Sequence, residues 1–308
     1  MRFEQTIRAA VECAGVGLHS GVPVQMRILP SSPGSGIVFR RTDLDDFQVE
    51  ATGRNVAKVS YATSLMKKGV LISTTEHVLS AFVGMGVDNA IVELDNLELP
   101  ILDGSALPIV EMVQRVGLRR QKRLRQYLRV LRPVEVREGD KFIGLYPAES
   151  FSVSYKINFH HPLIGEESIS VDLSRGDYAR DIAPARTFGF LHEAEALRNM
   201  GLIRGASEEN AVVLTREGIK NGPLRFPDEF VRHKVLDLIG DLSLIGHQVL
   251  GRVVADRAGH AMHTALVSRL LRDTTCWELA TLEEHVPQPA MADAFTASTA
   301  QSRSTTPP

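Results

Sequence analysis

The amino-acid sequence predicts an α+β protein built of two layered domains, and three observations carry that reading. Short strand-like segments give way to helix-like ones, and this order occurs twice along the chain. The 308 residues are enough for two ordinary domains, and 44% hydrophobic with 23% charged residues is the balance of a soluble globular protein. Between the halves runs a basic stretch, 115–132, holding eight Lys or Arg and no acidic residue. Taken as a solvated interdomain linker, it divides the chain into domains at 1–122 and 123–285. A tail at 286–308, rich in Ala, Ser, Thr and Pro, reads as disordered.

In the first half, 6–15, 22–29 and 36–41 read as strands, punctuated by Pro30, Ser31, Ser32, Pro33 and Gly34. Ser73, Thr74 or Thr75 caps a helix running to about Val83, which Gly84 and Gly86 end. Residues 87–94 read as a strand and 106–116 as a second helix, stopped near Gly117. The second half repeats the plan, with strands at 127–136, 141–146, 151–159 and 168–173. A helix over 192–200 leads to a strand at 211–214. Pro227 suits a helix entry near Asp228. A strand at 249–256 and a helix at 260–271 complete the order.

Composition narrows the function. A formal net charge of -2 gives no global attraction to nucleic acid or membrane. Two cysteines, Cys13 and Cys276, argue against a disulfide framework and for a reducing compartment. The N-terminus has no apolar signal core, and no apolar run is long enough to span a bilayer. A cytoplasmic enzyme fits these observations.

The helix entered at Asp228 carries the chemistry. His233 and Asp237 are four residues apart and share one face, with Asp241 a turn further on. Val235, Leu236, Leu238, Ile239, Leu242 and Leu244 surround them, so the helix is largely buried. Buried charges are costly unless paired or bound to a metal. A borderline divalent ion such as zinc takes nitrogen and oxygen donors at about 2 Å, and this helix offers two. A buried salt-bridge network is the alternative. A third donor has to come from elsewhere, and Thr74-Thr75-Glu76-His77 is a candidate, with Glu76 beside the ion as a base. His260, after a strand, is a second acid/base candidate, or else a capping or turn histidine. Gly15-Val16-Gly17-Leu18-His19-Ser20-Gly21 fails as a dinucleotide loop because its last glycine falls one place late. No nucleophile elbow, phosphate-binding Walker loop or His-Glu-x-x-His pattern is present.

Taken together and in order, several motifs resemble one family, the UDP-3-O-acyl-N-acetylglucosamine deacetylases, zinc amidases of lipid A synthesis. They are the 15–21 segment above, Ser73-Thr74-Thr75-Glu76-His77, Leu102-Asp103-Gly104-Ser105, Ala185-Arg186-Thr187-Phe188-Gly189-Phe190, 228–241 and Gly259-His260. The resemblance covers about 4–284. It implies two similar strand–helix sandwich domains with the active site at their interface, each carrying an insert near the site. It implies that His77, His233 and Asp237 bind one zinc, and so supplies the third ligand that spacing leaves open. It implies Glu76 as general base, His260 as general acid or electrostatic stabiliser, Asp241 as its partner, and Thr187 and Lys234 as further catalytic groups. Substrate contacts would come from Phe159 beside the uracil, Lys234 and Arg257 near the diphosphate or sugar, and Phe188. Ala194, Ile203 and Val213 would line an acyl passage.

Two places in the chain depart from the family's pattern. Arg257 stands where a lysine is expected, and Glu208 with Glu209 where at least one bulky apolar residue is expected. The resemblance further implies a UDP-linked acylated amino sugar as substrate and a cytoplasmic monomer without nucleic acid. No fused dehydratase domain is expected after the deacetylase, and the basic run is expected to make transient contact with the inner-membrane surface. Nitrogen and oxygen ligands accept iron as well as zinc. Two rival readings are an amidase on another N-acetyl sugar and a non-enzymatic binder of nucleic acid or anionic membrane through 115–132.

Overall fold

The computed structural model describes residues 2–57 and 61–282. The tail expected at 286–308 lies outside the described residues. In the first half the elements are β1 (Phe3–Ile7), β2 (Val11–Val16), β3 (Pro23–Pro30), β4 (Ile37–Arg41), β5 (Phe47–Glu50), β6 (Leu65–Lys67), β7 (Val70–Ile72), α1 (Glu76–Met85), β8 (Ala90–Leu94), α2 (Leu107–Val116) and β9 (Leu118–Leu124). In the second half they are β10 (Tyr127–Val130), β11 (Val134–Glu138), β12 (Lys141–Tyr146), β13 (Phe151–Phe159), β14 (Gly165–Asp172), α3 (Tyr178–Asp181), β15 (Phe188–Phe190), α4 (Ala194–Asn199), β16 (Val212–Leu214), α5 (Glu229–Leu242), β17 (Gln248–Asp256), α6 (His260–Arg272) and β18 (Trp277–Ala280).

The first half forms a five-stranded sheet in the order β2-β3-β8-β4-β5, with β4 and β8 the one parallel pair. Strand β3 shows why: Val24, Met26 and Ile28 are buried while Gln25 and Arg27 face out, the period of a sheet with one face in the core. In the second half β17 is central, antiparallel to β12 and parallel to both β13 and β10. Helices α1 and α2 belong to the first half and α5 and α6 to the second, and α1 packs on α5. One hydrophobic cluster takes residues from both halves. This is the mixed α+β, two-layer plan expected from the sequence.

Three expectations need correcting. Residues 6–15 are not one strand. The chain leaves β1, paired with β9, and enters β2, paired with β3, and exposed Arg8, Ala9 and Ala10 make the change of sheet. Residues 127–136 likewise split, because exposed Leu131, Arg132 and Pro133 carry the chain from the β10 ladder to that of β11 with β12. A proline lacks the N–H that a continuous ladder needs. The basic run 115–132 is not a linker: its centre is β9, antiparallel to β1. A register irregularity between Phe3 and Gln5 leaves Leu118, Gln121 and Leu124, three apart, as the inward residues. No period-two apolar signal survives that spacing.

The crossing of α1 and α5 depends on one glycine. A methyl group on Gly240 would lie 2.0 Å from the Glu76 carbonyl oxygen and 2.9 Å from its Cα, both backbone atoms. Gly240→Ala is therefore expected to push the two helices apart and lower stability by about 1–3 kcal/mol. Thermal unfolding checks this, and an unchanged midpoint contradicts the close packing.

Candidate active site and metal centre

The site is assembled where α1, α5 and α6 meet. On α5, His233, Asp237 and Asp241 follow at four-residue intervals and are all buried. Glu76 and His77 open α1 and are also buried. The residue before the α1 cap, Thr74, has φ 60, a strained value for a β-branched side chain. Its hydroxyl donates to Glu98 Oε1 at 2.9 Å, and Glu98 also accepts the backbone N–H groups of His19 and Ser20. Glu98 thereby ties the 15–21 segment to the start of α1.

His77, His233 and Asp237 bring ligand atoms to within 4.8 Å of one another. Asp237 Oδ1 is 3.3 Å from His233 Nε2 and 3.7 Å from His77 Nε2. Ligands about 2 Å from a tetrahedral ion stand roughly 3.3 Å apart, so this spacing suits one ion. The His233 Nδ1–H faces the Ala185 carbonyl at 3.1 Å, which leaves Nε2 free to ligate. Asp237 Oδ2 accepts from Lys234 Nζ at 2.9 Å, whereas buried Oδ1 finds no hydrogen-bond donor among the described residues. A buried carboxylate oxygen left without a donor is costly, and a cation between it and the two imidazoles removes the cost. Burial and the neighbouring His233 push the His77 pKa down to about 3 against the pull of Asp237, so its ring is neutral and suited to ligation. Asp237 is driven well below the ordinary carboxylate range, because His233, Lys234, His260 and His77 outweigh its burial. The donor set and the unpaired oxygen fit a divalent ion.

Two ionisable groups flank the triad. Burial, with Asp241 and Asp237 adding to it, pushes the Glu76 carboxyl up to about 8 against the pull of His260. Thr63 N–H donates to Glu76 Oε2 at 3.1 Å, and its hydroxyl donates to Asp241 Oδ1. His260 responds in the opposite sense. Burial lowers its pKa, but Asp241, Asp237 and Glu76 outweigh that and hold it at about 9. Its Nδ1 lies 2.7 Å from Asp241 Oδ2, so the ring turns Nε2 toward Asp237, 3.8 Å from Oδ2.

Around this centre, Phe188 packs edge-on against Phe159 at 5.6 Å between ring centroids and lies 6.4 Å from His233. Lys234 Nζ is 5.6 Å from the Phe188 ring centre. Thr187 is fixed by its backbone, donating to Gly104 and accepting from Val212. Strands β15 and β16 pair in parallel, and the segment joining them, with α4 and Ile203, folds onto the 15–21 loop. Arg204 and Gly205 N–H donate to the carbonyls of His19 and Leu18. Ala194 opens α4, and Val213 sits in β16. Glu208 and Glu209 are exposed, and Glu208 pairs with Lys220, so neither charge turns inward. Arg257 is engaged by Asp140 and Asp256 and stands apart from the triad's contacts.

A family model described as UDP-3-O-acyl N-acetylglycosamine deacetylase (LpxC) matches residues 4–272. The chain belongs to that family. A UDP-3-O-acyl-N-acetylglucosamine deacetylase of Solibacter usitatus is 53% identical, over 92% of this chain and 96% of its own length. Proteins of the same name from Syntrophus aciditrophicus and Myxococcus xanthus are 47% and 45% identical, over 91% and 90% of this chain and 90% and 88% of their own lengths. Deacetylases are hydrolases, so the family is one of enzymes.

The sequence reading omitted three residues that the structure places at this centre. Thr63 gave no signal, being an ordinary threonine in the irregular segment just before β6. Glu98 lies in a stretch with no pattern. His263 was readable, since it follows His260 by three residues on one helix face.

Proposed function

We propose that this chain removes the N-acetyl group from UDP-3-O-(3-hydroxyacyl)-N-acetylglucosamine in lipid A synthesis, with a zinc ion held by His77, His233 and Asp237. The observation that carries the reading is Asp237 Oδ1, buried between two imidazoles without a donor among the described residues, with Glu76 and His260 alongside. A bound divalent ion supplies a Lewis acid for the acetamide carbonyl and lowers the pKa of water. Glu76 takes the proton of the attacking water as its oxygen bonds to the acetyl carbon. The Thr187 hydroxyl meets the developing oxyanion. Protonated His260 gives its proton to the sugar nitrogen as the C–N bond breaks, releasing acetate and the amine. Asp241 holds the Nδ1 edge of His260 throughout, and Lys234 holds Asp237 in place.

The rest of the substrate follows from the surroundings. Phe159 and Phe188 offer an aromatic surface to the uracil. Lys234, and Arg257 once released from Asp140, supply cations to the diphosphate. Ala194, Ile203 and Val213 line the passage for the acyl chain, where each buried methylene contributes about 0.8 kcal/mol. The protein acts as a cytoplasmic monomer without nucleic acid, divided just after β9 rather than at 122/123, with catalytic groups drawn from both parts. No helix among the described residues is long and apolar enough to cross a membrane.

Acetate release from acylated and unacylated UDP-GlcNAc tests the substrate. Turnover confined to the acylated sugar supports the proposal. Equal rates on both move it to a general N-acetyl sugar amidase, and no release from either contradicts it.

His260→Gln is expected to keep its metal and lose about 100-fold or more in kcat. In the unaltered enzyme the rate falls on the alkaline side, where His260 loses its proton; a bound cation opposes the protonated ring, so that limb lies below the value of about 9 held in the metal-free chain. The rate also falls on the acid side, where Glu76 gains a proton. A bound cation facing Glu76 lowers its pKa from about 8, so that limb lies below pH 8. A pH–rate profile without an alkaline limb contradicts the acid role.

The exposed basic side chains of β9 are proposed to contact anionic lipid. Arg125, beside this strand, bonds the Gly86 carbonyl at the far end of α1 from Glu76, about 15 Å along the helix. Such contact tethers the protein without presenting the site to the bilayer. Charge reversal at Arg119, Arg120 and Lys122 is expected to weaken vesicle binding and leave turnover in solution unchanged.

A further inference from the structure

No task in the proposed chemistry falls to His263, yet it is built into the same cluster. It lies one turn after His260 on α6 and is fully buried. Its Nδ1 is 2.8 Å from Asp241 Oδ2, the same oxygen that meets His260 Nδ1 at 2.7 Å. Its Nε2 meets the Tyr155 hydroxyl at 3.0 Å. Tyr155 lies on β13, is itself buried, and donates to the Ala258 carbonyl at 2.8 Å. Ala258 is two residues before His260, so the relay closes on the turn that delivers the acid.

These contacts define what His263 can do. With no exposed surface and both ring nitrogens engaged, it cannot touch a substrate. Asp241 is a buried carboxylate that needs donors on both oxygens. Thr63 serves Oδ1, while His260 and His263 share Oδ2. Without His263, the carboxylate would keep only the His260 contact on Oδ2 and could rotate about its Cβ–Cγ bond, carrying the His260 ring with it.

We propose that His263 is a positioning residue, held by Tyr155 from β13, that fixes the plane of the Asp241 carboxylate and so aims His260 Nε2 at the metal triad. The inference rests on the acid role proposed for His260.

Two substitutions separate the ring's two edges. Asparagine places an N–H donor where Nδ1 stood, and glutamine places one where Nε2 stood. His263→Asn is expected to stay within about threefold of the unaltered kcat. His263→Gln is expected to lose about 10- to 100-fold in kcat, with KM and metal content unchanged. Equal losses in the two variants would assign His263 to packing and overturn the proposal, as would full activity in His263→Gln. Tyr155→Phe keeps the ring and removes only the hydroxyl that orients His263. It is expected to lower kcat by a smaller factor at constant KM and metal content, and an unchanged kcat there also overturns the proposal. His260→Gln in the same assay keeps the two readings apart. If that variant retained its rate, the acid assignment would fall and this inference with it. If it lost its rate while His263→Gln did not, only this inference would fall.

Discussion

Glu76→Gln is expected to retain the fold and the metal and to lose about 100- to 10,000-fold in kcat. The substitution keeps the shape of the side chain and the acceptor for the Thr63 N–H, and removes the capacity to take a proton together with the negative charge that faces His260. Its effect on stability has a definite sign. In the metal-free folded chain, Glu76 titrates near 8 because it is buried, against an ordinary value of 4.5. Between those values the unfolded chain has released a proton that the folded chain still holds. The stability linked to Glu76 is thus fully present below about pH 4.5 and is lost as pH rises through about 8. Glutamine has no proton to lose. The metal-free variant is therefore expected to exceed the unaltered protein in stability at pH 8 by on the order of 1–3 kcal/mol, and to match it near pH 4.5. Thermal unfolding of both metal-free proteins at the two pH values checks this, and acetate release checks the rate. A variant that turns over normally removes Glu76 from the reaction.

Asp237→Asn carries the second large effect. It keeps an oxygen in the triad and removes the negative charge that Lys234, His233, His77 and His260 all face. Breaking a buried ion pair from one side costs about 3–5 kcal/mol, because the remaining charge is stranded. The variant is expected to unfold at lower temperature and to lose bound metal on dialysis, and its acetate release should fall to background. Metal analysis after dialysis reads the loss directly. Full retention of metal and rate would contradict the role given to Asp237.

The helical part of the site was legible because a helix repeats. Spacing of four put His233, Asp237 and Asp241 on one face, and the apolar residues between them showed that the face is buried. The α5 start, at Glu229 after its cap Asp228, was legible through Pro227, and α6 starts at His260 as expected. His77 was open on spacing alone, since nothing local says which of two distant helices meet. That information lies in the α1–α5 packing and in Gly240, whose missing side chain admits the backbone of Glu76. Strand boundaries were less legible. Residues 8–10 change sheets with no Gly or Pro to mark it, Pro133 is the one mark of the change at 131–133, and β9 was hidden because its inward residues fall three apart. Thr63 and Glu98 matter through hydrogen bonds across more than ten residues of chain, which no local pattern records.

The central claim is that Glu76 and His260 act on water and amide only with an ion at His77, His233 and Asp237. The direct test is to strip the purified protein with a chelator, restore zinc in steps, and follow acetate release from the acylated UDP sugar against bound metal. The account predicts no turnover in the stripped protein and a linear rise to a plateau at one equivalent. A stripped protein that turns over at the full rate, or a plateau unrelated to metal bound, would contradict it.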